Sequence, residues 1–303
     1  MDNRLTTTLG DLSLKNPVMN ASGTFGYGEV YAPFFPVERL GAMITKGLTP
    51  RPRVGNEPPR IVETPSGMLN AIGLNNIGIE AFIADKLPQL PATDLPVIIN
   101  VMGESVTEFV ELARRAAQCP GISGLELNIS CPNVGKVGLA FGVDPAMTGD
   151  LVAAVRAVYS KHLMVKLTPQ APDMLAVARS AERSGADSLS VVNTYLGMKI
   201  DIRRRKPVLS NRTGGLSGPA IRPLAVRAVY EVVRTVEIPV VGTGGIETAE
   251  NALEFIMAGA KAVQVGTAQF RNPRALVDLI DGLSDYCDSQ QVCIAELVGV
   301  ANE

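Results

Sequence analysis

Eight short apolar runs recur along the chain with helical patterns between them, and this alternation restricts the fold more than any other feature. The runs fall at residues 17–20, 42–45, 97–101, 124–130, 163–167, 188–193, 239–242 and 262–265. Each is apolar on both faces and rich in Val, Ile or Leu, as parallel strands covered by helices are. Ser105-Val106-Thr107-Glu108 is a capping box that opens a helix running to about residue 118. Residues 172–184 read as a helix stopped by Gly185, and residues 248–258 as one stopped by Gly259. Within 219–236, Ile221, Leu224, Ala225, Ala228, Val229, Val232 and Val233 make one apolar stripe at helical spacing. The tail from about residue 289 reads as a final helix. Eight strand–helix units suggest an α/β fold of the (β/α)₈ TIM barrel type, with a doubly wound open sheet as the alternative. Residues 5–8 and 12–14, joined around Gly10-Asp11, read as an N-terminal β-hairpin at the barrel bottom. The whole chain, 1–303, is read as one barrel domain.

Composition narrows the function classes. Hydrophobic residues make up 46% of the chain, enough for a large core, which excludes intrinsic disorder. A net charge of −2 offers no basic excess for nucleic acid or an anionic membrane. No run approaches the roughly 18 apolar residues that span a bilayer. Met1-Asp2-Asn3-Arg4-Leu5-Thr6 lacks the basic-then-apolar order of a signal peptide. Cys119, Cys131, Cys287 and Cys293 follow no framework or metal spacing and read as reduced thiols of a cytoplasmic protein. His162 is the only histidine; just before the fifth run, on the stability face of a barrel, it reads as a surface or helix-end residue.

Three connections are too long for simple turns: 47–78 after the second run, 131–148 after the fourth and 194–218 after the sixth. In a barrel all three emerge at the C-terminal face, where active sites sit. Arg203-Arg204-Arg205-Lys206 in the last of them reads as solvated surface, with a subunit contact or a steering patch as the alternative.

The chemistry-bearing residues cluster at the ends of the same runs. Run seven ends Val241-Gly242-Thr243-Gly244-Gly245 and run eight ends Val265-Gly266-Thr267. Glycines at two adjacent strand mouths let backbone N–H groups approach a phosphate; two tight turns that merely need glycine are the plainer alternative. Neither stretch makes the dinucleotide fingerprint G-x-G-x-x-G. Lys46 ends run two, and Lys166 lies inside Val165-Lys166-Leu167 of run five. A lysine in a barrel strand is costly unless it meets an anion. Asn100, Asn128 and Asn193 end runs three, four and six. Three amides at equivalent positions suit the edge of a polar heterocycle such as a flavin or a pyrimidine, because an amide both donates and accepts. Cys131 follows run four directly and is either a base or nucleophile, or a small buried hydrophobe.

Met68-Leu69-Asn70-Ala71-Ile72-Gly73-Leu74-Asn75-Asn76, Asn128-Ile129-Ser130-Cys131-Pro132-Asn133-Val134 and Val240-Val241-Gly242-Thr243-Gly244-Gly245-Ile246 together resemble the dihydroorotate dehydrogenases, from about residue 4 to the last helix. The resemblance implies a (β/α)₈ barrel with one FMN at its C-terminal mouth, oxidising dihydroorotate to orotate in pyrimidine (UMP) synthesis. Cys at 131 is similar to the class 1 enzymes, where class 2 enzymes have Ser and an added N-terminal helix. The Asn-Ala-Ile-Gly-Leu wording of 70–74 resembles class 1B, the NAD-linked type. That class implies a homodimer inside a heterotetramer, with FAD and an iron–sulfur cluster on a separate electron-transfer subunit. The stretch Gly135-Lys136-Val137-Gly138-Leu139 departs from the family in being less polar.

Carried over by residue, the resemblance makes Cys131 the general base for C5 of dihydroorotate, with the C6 hydride passing to flavin N5. The segment after it is expected to close over the substrate. Lys46, Asn70, Ala71, Ile72, Gly73, Leu74, Asn128, Asn133, Asn193 and Thr194 would hold the pyrimidine. Ser22, Lys46, Gly47, Asn100, Asn128, Val192 and Gly218 would line the flavin, with Lys166 at its N1/O2 end. Gly244, Gly245, Gly266 and Thr267 would hold the phosphate. The competing readings are a self-sufficient class 1A-like homodimer using fumarate, a flavin-free phosphate-binding lyase or isomerase, and an inactive scaffold subunit.

Overall fold

The computed structural model describes residues 3–90, 93–129 and 141–302. Eight parallel strands form its centre: Val18–Asn20, Met43–Ile44, Val97–Val101, Gly124–Asn128, His162–Lys166, Ser188–Val191, Val240–Thr243 and Ala262–Val265. They are called barrel strands one to eight. Their spatial order is one-eight-seven-six-five-four-three-two. Strands one and two close the ring through a parallel bridge between Met19 and Ala42. Gly41 N–H donates to Val18 O at 2.9 Å. The Asn20 side chain completes the seam, donating to Ile44 O at 2.5 Å and accepting from Ile44 N at 3.0 Å. A side-chain amide thus supplies the pairing that a two-residue strand is too short to make with its backbone.

All eight expected strands are present, with no end shifted by more than two residues. Their side chains alternate between the outer shell of helices and the barrel interior. Some of the helices start at side-chain caps: Ser105 Oγ accepts from Glu108 N at 3.3 Å, and Asp173 accepts from Ala176 N at 2.8 Å. Asp144 accepts from Ala146 N at 2.8 Å and opens the helix Pro145–Arg156. The long fourth connection therefore ends before Pro145 rather than at 148. The last long helix is Ala275–Gln290, not a tail helix beginning near 289. Gln291 stops it in the left-handed conformation, φ 57°, and only short 3₁₀ turns follow.

The hairpin is Thr7–Leu9 with Leu12–Leu14, turning at Gly10 with φ +58°. Leu9 and Leu14 are fully buried against Met19, Ile44, Ile98, Met164, Val241 and Ala262. This apolar layer plugs the barrel floor. His162 is the first residue of strand five and lies buried beside the hairpin, not on the surface. Its Nε2 is 2.8 Å from Ser188 Oγ and its Nδ1 is 3.5 Å from Asp11 Oδ1. Asp11 occupies the hairpin turn, so the imidazole joins strands five and six through Ser188 and sits against the plug.

The second and sixth connections are not independent loops. Ile61–Thr64, Gly67–Asn70, Thr213–Ser217 and Tyr195–Met198 form one four-stranded antiparallel sheet at the other end of the barrel. Its central register pairs Gly215 with Asn70, Leu216 with Leu69 and Ser217 with Met68. Gly67 permits the contact, since a Cβ there would sit 2.0 Å from Ser217 O. The Arg203–Lys206 run lies on an exposed turn, where Asp201 Oδ1 accepts from Arg203 N and Arg204 N.

Candidate active site

The C-terminal mouth of the barrel and the added sheet enclose a cavity of about 400 Å³. Its size is in the range of small-molecule and cofactor pockets. Strand ends reach it from around the ring: Ser22, Lys46, Gly47, Asn100, Asn128, Lys166, Val192, Asn193 and Thr194 all line it. Gly244, Gly245, Gly266 and Thr267 line the side belonging to strands seven and eight. Asn70, Ile72, Gly73, Leu74 and Gly218 line it from the added sheet and its flanks. Residues far apart in sequence therefore converge because each ends a strand or borders the sheet.

Ala71 is the exception among the described candidates. Its side chain is fully buried with Leu69 and Leu209 in the small core of the added sheet. Strand geometry explains this, because neighbours alternate faces and Asn70 and Ile72 take the cavity side. Cys131 and Asn133 lie outside the described residues, as does the segment expected to close over the substrate.

The glycines have steric reasons to be glycine. A Cβ at Gly47 would come 2.8 Å from Asn100 Oδ1. One at Gly245, where φ is +71°, would come 2.7 Å from Gly218 O. Gly245, Gly218 and Gly67 thus stack backbone on backbone between barrel and sheet. Thr267 Oγ1 donates to Ser217 Oγ at 2.8 Å and ties strand eight to the same sheet.

The cavity floor is polar and buried. Lys166 is 3% exposed, and its Nζ lies 3.2 Å from Ser22 Oγ and 3.4 Å from Gln264 Oε1. Glu126 is wholly buried, 3.7 Å from that ammonium. Its Oε1 accepts from Asn100 Nδ2 at 2.6 Å. Its Oε2 accepts from Gln264 Nε2 at 2.7 Å and from Ser190 Oγ at 3.0 Å. Lys46 is half-buried higher in the cavity, and burial, then the nearby Arg60 charge, pulls its pKa below the usual lysine value. An entering anion relieves both effects.

Glu126, Ser190 and Gln264 are floor residues outside the sequence motifs, and Thr243 lies within one that assigns it no role. A signal for two of them is nevertheless present: Glu126 interrupts Leu125–Leu127, and Gln264 interrupts Val263–Val265. A polar residue in an apolar parallel strand is the same anomaly that marks Lys166.

The dihydroorotate dehydrogenase family model matches residues 4–286. A protein of Pelobacter propionicus named dihydroorotate dehydrogenase B (NAD(+)), catalytic subunit, is 52% identical over 296 residues, 97% of each chain. Proteins of the same name from Trichlorobacter lovleyi and Parabacteroides distasonis are 52% and 49% identical, again over 97% of each chain. With the described parts of the resembling motifs at one barrel mouth, and a match spanning nearly the whole sequence, the chain belongs to the dihydroorotate dehydrogenase family.

Proposed function

We propose that this chain is the flavin-bearing catalytic subunit of an NAD-linked enzyme that oxidises dihydroorotate to orotate in pyrimidine synthesis. The observation that carries the reading is the cavity floor: a buried ammonium beneath a pocket ringed by amides and by glycine-lined strand ends. FMN fits this donor set. The glycine-lined mouths of strands seven and eight, at Gly244, Gly245 and Gly266, suit a phosphate, and Lys166 suits the electron-rich end of an isoalloxazine. Ser22, Gly47, Asn100, Asn128, Val192, Gly218 and Thr267 would complete that site. When bound, FMN supplies an acceptor for the hydride leaving C6 of the substrate.

This chain's residues do the rest. Lys46 holds the substrate carboxylate, and its depressed pKa recovers on doing so. Asn70, Asn128, Asn133, Asn193 and Thr194 orient the pyrimidine through donors and acceptors, with Gly73 and Leu74 against it. Cys131 takes the proton from C5, a step in which a positioned base is worth roughly 10²–10⁴-fold. What supports that role is its place in the motif, directly after the strand that delivers Asn128 to the cavity. Electrons then leave through a partner subunit carrying FAD and an iron–sulfur cluster, in a cytoplasmic heterotetramer built on a homodimer of this chain. Leu196, Met198, Ile200 and Ile202 form an exposed apolar stripe on the added sheet and its extension, which suits a subunit contact.

Steady-state assays separate the readings. The lone chain is expected to reduce a dye with dihydroorotate, to leave NAD+ and fumarate unreduced, and to reduce NAD+ once an electron-transfer subunit is added. Fumarate reduction by the lone chain would favour the class 1A-like reading. No dye reduction by a flavin-loaded chain would remove dihydroorotate as donor.

A further inference from the structure

The floor of the barrel mouth holds one acid that the reaction itself does not require. Glu126 is surrounded only by donors: the Asn100 amide, the Gln264 amide, the Ser190 hydroxyl and, at 3.7 Å, the Lys166 ammonium. Lysine has no acceptor, so Gln264 must turn its oxygen towards Lys166, and Thr243 Oγ1 donates to that same oxygen at 3.3 Å. Gln264 then has only its NH₂ left for Glu126. By the same logic Asn100 gives its NH₂ to Glu126 and keeps its oxygen for the cavity, the atom that a Cβ on Gly47 would meet. A single carboxylate therefore fixes the sense of two amides and the position of one ammonium.

We propose that Glu126 is a positioning residue that sets the electron affinity of the bound flavin, by holding Lys166 in place and offsetting its charge and by presenting Asn100 Oδ1 as an acceptor to the flavin. This rests on the flavin reading above. In a buried site charges interact strongly, and an ammonium paired with a carboxylate projects a weaker field than an ammonium alone. A buried acid is costly to keep unless each oxygen is satisfied, and here both are. The result is a floor whose charge favours reduced flavin less than an unpaired lysine would. It also commits the position facing Gly47 to a ligand N–H rather than a ligand carbonyl.

The test uses the flavin-loaded chain and reads the midpoint potential by anaerobic dye equilibration. Glu126→Gln removes the charge and forces one amide to turn. It is expected to tighten binding of reduced over oxidised flavin at least tenfold, a rise of about 30 mV for a two-electron couple. The same substitution made in a Lys166→Met background should shift the potential far less, because the ammonium it unmasks is gone. Glu126→Asp keeps the charge but withdraws it by one methylene; it should move the potential in the same direction by a smaller amount, and it serves if Glu126→Gln fails to fold. A folded, yellow Glu126→Gln or Glu126→Asp with the wild-type potential would overturn the proposal. So would a full-sized shift that persists without Lys166. A wild-type chain that holds no flavin would instead overturn the flavin reading, which separates the two failures.

Discussion

At the scale of single residues, the mouth of this barrel is organised by exceptions to the strand pattern. Lys166, Glu126 and Gln264 each put a polar group where an apolar one would cost less, and together they satisfy one another. In the proposed function, binding falls to such groups and proton abstraction to Cys131. Cys131→Ala is expected to take up FMN as wild type does, and to lose roughly 10²–10⁴-fold in the rate at which dihydroorotate reduces it. Stopped-flow absorbance measures this, and near wild-type reduction at every pH would remove Cys131 as the base. Lys166 is legible in the sequence because a cation in an apolar strand calls for an anion or an electron-rich ligand nearby. Ala71 is not, because a motif carries no face, whereas the strand sends alternate residues to opposite sides. The orientation of the Asn100 amide is beyond the sequence as well, since it depends on a carboxylate 26 positions away.

At the scale of elements, the hairpin and the added sheet close the barrel at opposite ends. The eight strands and the hairpin follow from local pattern and are legible as such. The added sheet is not, because its strands come from connections about 145 residues apart and pair only across the barrel mouth. Read alone, each is a Pro- or Gly-rich loop. Leu14 is a direct probe of the plug, being fully buried against the interior layer. Leu14→Ala is expected to cost about 2–5 kcal/mol and to lower the thermal midpoint by several degrees. The flavin spectrum of the folded variant should be unchanged, because the plug lies below the polar floor. Calorimetry with a visible spectrum checks both, and a large spectral change with little loss of stability would contradict this division.

At the scale of the whole molecule, the hairpin plug and the proposed flavin site sit at opposite ends of the barrel. Burial holds the pKa of His162 below its ordinary value, more than Asp187 and Asp11 raise it. Its folded pKa is therefore the lower one, and unfolding exposes a group that binds a proton more readily. Its contribution is present above about pH 6.5, the unfolded value, and is lost as pH falls towards the folded value. Thermal melts are expected to show stability declining below about pH 6.5, with a shallower decline for His162→Gln over that window; equal slopes would contradict the assignment. That His162 is buried follows from the hairpin turn folding back beside strands five and six, a contact no local pattern announces. The decisive experiment is anaerobic addition of dihydroorotate to the purified, flavin-loaded chain, followed by its visible spectrum. The flavin absorbance is expected to bleach as one orotate forms per flavin. A yellow protein that keeps its colour with dihydroorotate would contradict the proposed function.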